Sequence, residues 1–261
     1  MILDQLTALK GKKKAFAWLI DPDKCNPDQA GQQIQTANQL GVDYIFVGGS
    51  LVFNHINGLL EKIKLASRMP VVLFPGSPLQ VSSKADAILL LSLISGRNPE
   101  YLIGNHVIAA PFLRESGIEI LPTGYILING GKQTSVSYLS NTQPIPNDKP
   151  DLALATAMAG EMLGLRLVFL DAGSGAIEPV PAQMIRNISS GVGIPLIVGG
   201  GLCTDKQVRE AYLAGADLVV VGNAAEKNPE LIAGFIRERD RFNSRPMPFL
   251  PQPEDAANRS L

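Results

Sequence analysis

The stretch FLDAGSG, Phe169 to Gly175, sets an acid and a Gly/Ser turn directly behind an apolar run. Two later stretches repeat the pattern: IVGGGL, Ile197 to Leu202, and VVVGNA, Val219 to Ala224, each finish a short aliphatic run in a glycine turn. Strands that end this way present backbone N–H groups, and glycine leaves them approachable, so the three turns together suit a phosphoryl group. Taken singly, each glycine pair makes only a tight connection between a strand and a helix. In this order they match the last turns of a TIM barrel, where a phosphate is commonly held.

Outward from these turns, short aliphatic runs alternate with longer amphipathic segments, the pattern of βα units around a parallel sheet. Strands are predicted at Ala15–Ile20, Tyr44–Gly48, Val71–Leu73, Ala87–Leu91, Ile118–Leu121 continuing to Ile128, Leu167–Leu170, Pro195–Val198 and Leu218–Val221. Eight is the number that closes a (β/α)8 barrel of α/β class. Helices are predicted from Pro27, capped by Asn26 and stopped at Gly41, and at Asn54–Ser67, Pro99–Phe112, Asp151–Leu163, Pro181–Ser190, Asp205–Ala214 and Pro229–Asp240. Between Phe74 and Ala87 the chain reads PGSPLQVSSKAD, which has no helical apolar period and is short for a crossover helix. The third outer helix is therefore expected to be replaced by an extended segment, leaving a groove that a long ligand can use.

A chain of 261 residues, 46% of them hydrophobic, is read as one barrel domain over residues 1–242. Its Pro-rich and polar tail, 243–261, is expected to be disordered or loosely docked. A net charge of −1 supplies no field to attract nucleic acid or an anionic membrane. The basic run Lys10 to Lys14 reads as a solvated edge. With two cysteines, no secretory leader pattern and no apolar run of spanning length, a cytoplasmic setting without a transmembrane segment is expected.

Strand ends carry the candidate chemistry. LIDPDK, Leu19 to Lys24, offers carboxylates at Asp21 and Asp23; a carboxylate there is either a Mg²⁺ ligand near the anion site or the acceptor of an Asx-turn with Pro22. VGGS, Val47 to Ser50, ends in a hydroxyl that either shares such a metal or caps the next helix. Asp171 stands where it can take a proton from a substrate hydroxyl, and if buried it needs a partner. His55 and His106 form no metal pattern and read as surface or satisfied helix residues. Trp18 reads as barrel packing.

With LIDPDK, VGGS, FLDAGSG, VGGG and VGNA in order, the sequence from about Ala15 to Ala225 resembles geranylgeranylglyceryl phosphate synthases and the related heptaprenylglyceryl phosphate synthases. SLISGRNPEYLIGNH (Ser92 to His106), PTGYILI (Pro122 to Ile128) and PIPNDKPD (Pro144 to Asp151) are similar to the archaeal-type branch also found in some bacteria. The resemblance implies Mg²⁺-dependent transfer of a prenyl group from geranylgeranyl diphosphate to sn-glycerol 1-phosphate, in ether lipid biosynthesis, by a homo-oligomer (dimer or hexamer). It implies a metal site at Asp21 and Ser50. It also implies a glycerol-phosphate site at Phe169, Leu170, Asp171, Ala172, Gly173, Ser174, Gly175, Gly200, Gly201, Gly222 and Asn223, with Asp171 catalytic and Arg97 a further partner for the diphosphate. Phe169 and Asp171 depart from the family's usual tyrosine and glutamate. The alternatives are a longer donor such as heptaprenyl diphosphate, a phosphate-sugar isomerase or aldolase, and a phosphate-binding barrel without enzymatic activity. An isomerase or aldolase needs a Schiff-base lysine or an acid/base pair at strand ends, and no lysine lies inside a predicted strand.

Overall fold

Eight parallel strands close in chain order: β1 (Ala15–Ile20), β2 (Tyr44–Gly49), β3 (Val71–Pro75), β4 (Ala87–Leu93), β5 (Glu119–Leu127), β6 (Leu167–Asp171), β7 (Leu196–Gly199) and β8 (Leu218–Val221), with β8 pairing back onto β1. The computed structural model describes residues 1–54 and 56–244. Helices α2 (Pro27–Leu40), α3 (Ile56–Ala66), α4 (Asn105–Ser116), α6 (Pro150–Met162), α7 (Ala182–Gly191), α8 (Asp205–Leu213) and α10 (Leu231–Asn243) form the outer ring. As expected, the β3–β4 connection has no helix; residues 76–86 form turns and extended backbone.

Strand alternation divides the apolar residues between two layers. Ala17, Phe46, Val72, Leu89, Leu121 and Phe169 fill the barrel interior, while Phe16, Trp18, Ile45, Val47, Val168 and Leu170 face the helices. Trp18 is thus packing, as its sequence context suggested. Asn26 accepts the N–H of Asp28 at the start of α2, and Gly41 ends that helix in the left-handed conformation.

Three helices escape the sequence reading: α1 (Ile2–Leu9), α5 (Ser135–Ser140) and α9 (Asn223–Lys227). Ile2 and Leu6 of α1 join the interior cluster and close the amino end of the barrel. The Glu119 carboxylate, at the start of β5, accepts the free N–H groups of Ile2 and Leu3 at 2.6 and 2.8 Å. A carboxylate here offsets the positive end of the helix dipole.

The basic run departs from the solvated edge expected of it. Lys12 and Lys13 are exposed, but Lys14 is buried and lies 3.7 Å from Asp217, which Lys10 approaches at the same distance. Burial pulls the Lys14 pKa down, and the Asp217 charge opposes that pull. The tail expectation is also revised at its start: Asn243 belongs to α10 and exchanges two hydrogen bonds with the Lys14 backbone. Residues 245–261 and His55 lie outside the described residues. Cys25 and Cys203 are free thiols, and no described helix is long and apolar enough to cross a membrane.

Removing one member of a buried ion pair leaves the other charged and unpaired. Asp217→Ala is therefore expected to lower stability by about 3–5 kcal/mol, measured by urea unfolding, and a loss below about 1 kcal/mol would contradict this role.

Candidate active site

The carboxyl ends of β6, β7 and β8 lie side by side, so their three glycine turns meet at one hollow. Gly200 and Gly201 have φ of +80° and +70°, where side chains are strained. A Cβ on Gly200 would also collide with the Asp171 carboxylate and lie 2.7 Å from the backbone nitrogens of Ala172 and Gly173. Gly200 therefore lets the β7 turn pack directly on the β6 turn. β8 runs through Gly222 into α9, where Asn223 Nδ2 donates to Ser174 Oγ at 3.0 Å and ties the third turn to the first.

Within FLDAGSG the residues divide. Ser174 and Gly175 are exposed at the hollow, whereas Phe169, Leu170 and Ala172 are almost completely buried and serve to carry the turn. The structure does not bring those three to the open face. Lys132, from the loop after β5, sits beside Gly175: its Nζ is 3.3 Å from where a Cβ there would lie. The sequence reading missed this lysine because nothing local connects it to β6.

Asp171 faces the barrel interior and is 7% exposed. Its Oδ1 accepts the Gly173 N–H at 2.7 Å and its Oδ2 accepts the Tyr125 hydroxyl at 2.5 Å. Burial lifts its pKa above the ordinary aspartate range, against the opposing pull of these two donors. The partner a buried acid requires is thus present.

At β1, Asp21 forms the Asx-turn that its sequence context allowed. Asp21 Oδ1 accepts the Asp23 N–H at 3.1 Å, closing the Asx-turn, while Oδ2 lies 2.6 Å from Lys24 Nζ. Glu226 of α9 accepts the Asp21 N–H at 2.9 Å, and burial raises the Glu226 pKa. Gly49, the neighbour of Ser50, packs about 3.6 Å from the Asp21 carboxylate if given a Cβ. Asp23 is instead used structurally, accepting the N–H groups of Phe53 and Asn54 and pinning the loop after β2. Among the described residues no three His, Cys, Asp or Glu side chains gather as a metal cage. Mg²⁺ is commonly held by one or two carboxylates together with substrate phosphates, so Asp21 and Ser50 fit that ion.

An apolar groove enclosing about 870 Å³, including space open to solvent, runs from Gly49 and Ser50 between the helix-free segment and α4. Phe74, Val81, Leu91, Tyr101 and Leu113 line it, and Tyr125 forms part of its wall. Tyr101 comes from a single π-helical turn, Glu100–Gly104, that enters α4. His106 also lines the groove, which corrects its reading as a surface or satisfied residue: its Nδ1 is buried without a hydrogen-bond partner and its Nε2 lies 3.3 Å from Ser92 Oγ. Burial lowers its pKa. Arg97 does not join the groove; it is exposed, donates to the carbonyl of Gly96, and faces a separate hollow with Asn141 and Thr142.

The structure is thus of the (β/α)8 TIM-barrel class, with a hollow over its last three strands and an apolar groove in place of one outer helix. The chain belongs to the PcrB family, which matches residues 9–239. It is 54% identical over 232 residues to a geranylgeranylglyceryl phosphate synthase of Spirosoma linguale, covering 88% of this chain and 93% of that protein. A protein of the same name from Pyrococcus abyssi is 43% identical over 223 residues, 85% of this chain and 87% of that one. The crystal structure of (S)-3-O-geranylgeranylglyceryl phosphate synthase from Thermoplasma acidophilum, in complex with its substrate sn-glycerol-1-phosphate, superposes with a TM-score of 0.88 at 32% identity, covering 92% of this chain and 99% of that one.

Gly200→Ala is expected to destabilise the protein by about 1 kcal/mol or more through its positive φ, read as a lower thermal midpoint. Gly58→Ala, on the exposed face of α3 with open space around it, is expected to raise that midpoint. Equal responses would contradict the packing of the two turns.

Proposed function

We propose that this protein is a geranylgeranylglyceryl phosphate synthase, transferring the prenyl group of geranylgeranyl diphosphate to sn-glycerol 1-phosphate to give 3-O-geranylgeranylglyceryl phosphate and diphosphate. The observation that carries the reading is that the apolar groove and the β6–β8 hollow meet at one end of the barrel: Tyr125 lines the groove while bonded to Asp171, and Ser50 lies at the groove's other side. The similarity to synthases over most of both chains supports it.

In this reading the glycerol phosphate rests on the turns at Gly173–Gly175, Gly200–Gly201 and Gly222–Asn223, with Lys132 adding positive charge. The prenyl chain lies in the groove, where the donor's reactive end is held out of water. Asp21 and Ser50 would hold Mg²⁺, which when bound neutralises the diphosphate and eases its departure. Asp171 orients the free hydroxyl and takes its proton as the oxygen bonds to the allylic carbon; the carbon–oxygen bond to diphosphate breaks and the electron pair leaves with it. Catalysis is thus mainly positioning and charge stabilisation. An aldolase reading lacks a lysine inside a barrel strand: among the described residues Lys24 and Lys132 come from loops at this end, and the buried Lys14 precedes β1 at the opposite, amino end.

The similarity to proteins named geranylgeranylglyceryl phosphate synthase favours a four-isoprene donor. Exposed apolar residues on α4 (Val107, Ile108, Phe112) and α6 (Leu152, Met158, Met162) supply surface for self-association. We assign the protein a dimeric or larger state on that basis; equilibrium sedimentation is expected to find it, and a monomer at micromolar concentration would contradict it.

Purified protein with Mg²⁺, sn-glycerol 1-phosphate and geranylgeranyl diphosphate is expected to form the ether product, detected by mass spectrometry. No product, or preference for the sn-3 isomer, would sink the reading. Asp171→Asn is expected to lower kcat by about 10²–10⁴-fold while glycerol phosphate still binds, and Asp21→Asn to lose Mg²⁺-dependent diphosphate binding. Since Asp171 acts ionised and its pKa is raised by burial, kcat should fall on acidification at a pH above the ordinary aspartate value of about 3.9.

A further inference from the structure

We propose that Tyr125 is the positioning residue of this site, its hydroxyl holding the Asp171 carboxylate in the plane that receives the acceptor's proton. The proposal rests on the reading of Asp171 as the proton acceptor.

The geometry is that of a two-point hold. Gly173, from the same turn as Asp171, donates to Oδ1, and Tyr125, from the neighbouring strand β5, donates to Oδ2. Fixing both oxygens sets the plane of the carboxylate and leaves each with a second lone pair for the substrate. The 2.5 Å separation falls in the range of about 2.5–2.7 Å for a hydroxyl donated to an ionised acceptor. Register makes this pairing specific. Tyr125 stands opposite Phe169, and Phe169 lies two residues before Asp171 on the same inward face. Phe169 has no hydroxyl to offer, so the polar contact for the buried acid comes across from β5.

The phenol ring is itself held. Phe169 meets it edge-on at 5.6 Å, and Phe74, stacked on Phe169 at 5.2 Å, meets it edge-on at 6.1 Å. These contacts leave the hydroxyl directed at Asp171, while the ring contributes to the groove wall. The hold therefore links the two halves of the site: the side chain aiming the acid also touches the donor's channel.

Burial, and then the Asp171 charge, push the Tyr125 pKa well above its ordinary value, so it remains a donor throughout the working pH range. The groups acting on Asp171 from the elements around it are Tyr125 of β5 and the Gly173 N–H of its own turn; the packed β7 turn contributes glycine backbone.

The test is Tyr125→Phe in the full chain with Mg²⁺, sn-glycerol 1-phosphate and geranylgeranyl diphosphate. Loss of a hydrogen bond to the ionised form raises the Asp171 pKa, so the acid limb of kcat should move to higher pH. The pH-plateau kcat should fall by about tenfold or more, with glycerol-phosphate affinity in calorimetry changed less than about twofold. An unchanged kcat and acid limb in a folded Tyr125→Phe protein would overturn the proposal, as would an effect confined to KM. If that variant does not fold, the wild-type phenol proton should appear as a strongly downfield NMR resonance that Asp171→Asn abolishes, and its absence would overturn the proposal. Failure of the wild type to make product overturns the underlying reading as well; an active wild type with an indifferent variant overturns this proposal alone.

Discussion

A carboxylate facing the inside of a barrel is costly unless its oxygens are satisfied, and the active end of this protein is arranged around that requirement at Asp171. One donor comes from the turn that follows it, which asks for the conformation of Gly173. Another comes from Tyr125 on β5. The β7 turn packs beside Oδ1, so near that only glycine is accommodated at 200. The acid is thus buried enough for its pKa to rise and held enough to have one orientation.

The missing outer helix extends the same arrangement toward an apolar ligand. In a complete barrel, a helix would cover β3 and β4; here the helix-free segment and α4 stand apart and leave the groove between them. Phe74 and Tyr125 lie where this groove reaches the barrel mouth, and Phe169 backs both rings from within. Across the mouth, Lys24 bonds Asn223 Oδ1 at 3.2 Å while paired with Asp21, so the end of β1 and the β6–β8 hollow share a contact. An acid, an oxygen-donor pair and an apolar channel are brought together by strand order alone.

Most of the barrel was legible because its strands are continuous aliphatic runs, buried on both faces, and their turns are marked by glycine. The absence of the third helix was equally plain, since PGSPLQVSSKAD offers no apolar stripe. What escaped depended on distant pairing. Helix α1 is short, and what holds it is Glu119, 117 residues from Ile2. Lys14 belongs to a run that resembles a surface stretch until Asp217, at the far end of the chain, is brought beneath it. His106 carries no local sign that its helix borders a groove. Tyr125 was visible only as one letter of PTGYILI, because its bond to Asp171 spans 46 residues and depends on strand register.

The central claim is that one glycerol phosphate sits on the three turns with its free hydroxyl over Asp171. Backbone amide NMR of the labelled protein, titrated with sn-glycerol 1-phosphate, tests it most directly. The account predicts saturable shifts at Gly173, Ser174, Gly175, Gly200, Gly201 and Asn223, with weaker binding of the sn-3 isomer. Shifts confined to other loops, or the same response to both isomers, would contradict it.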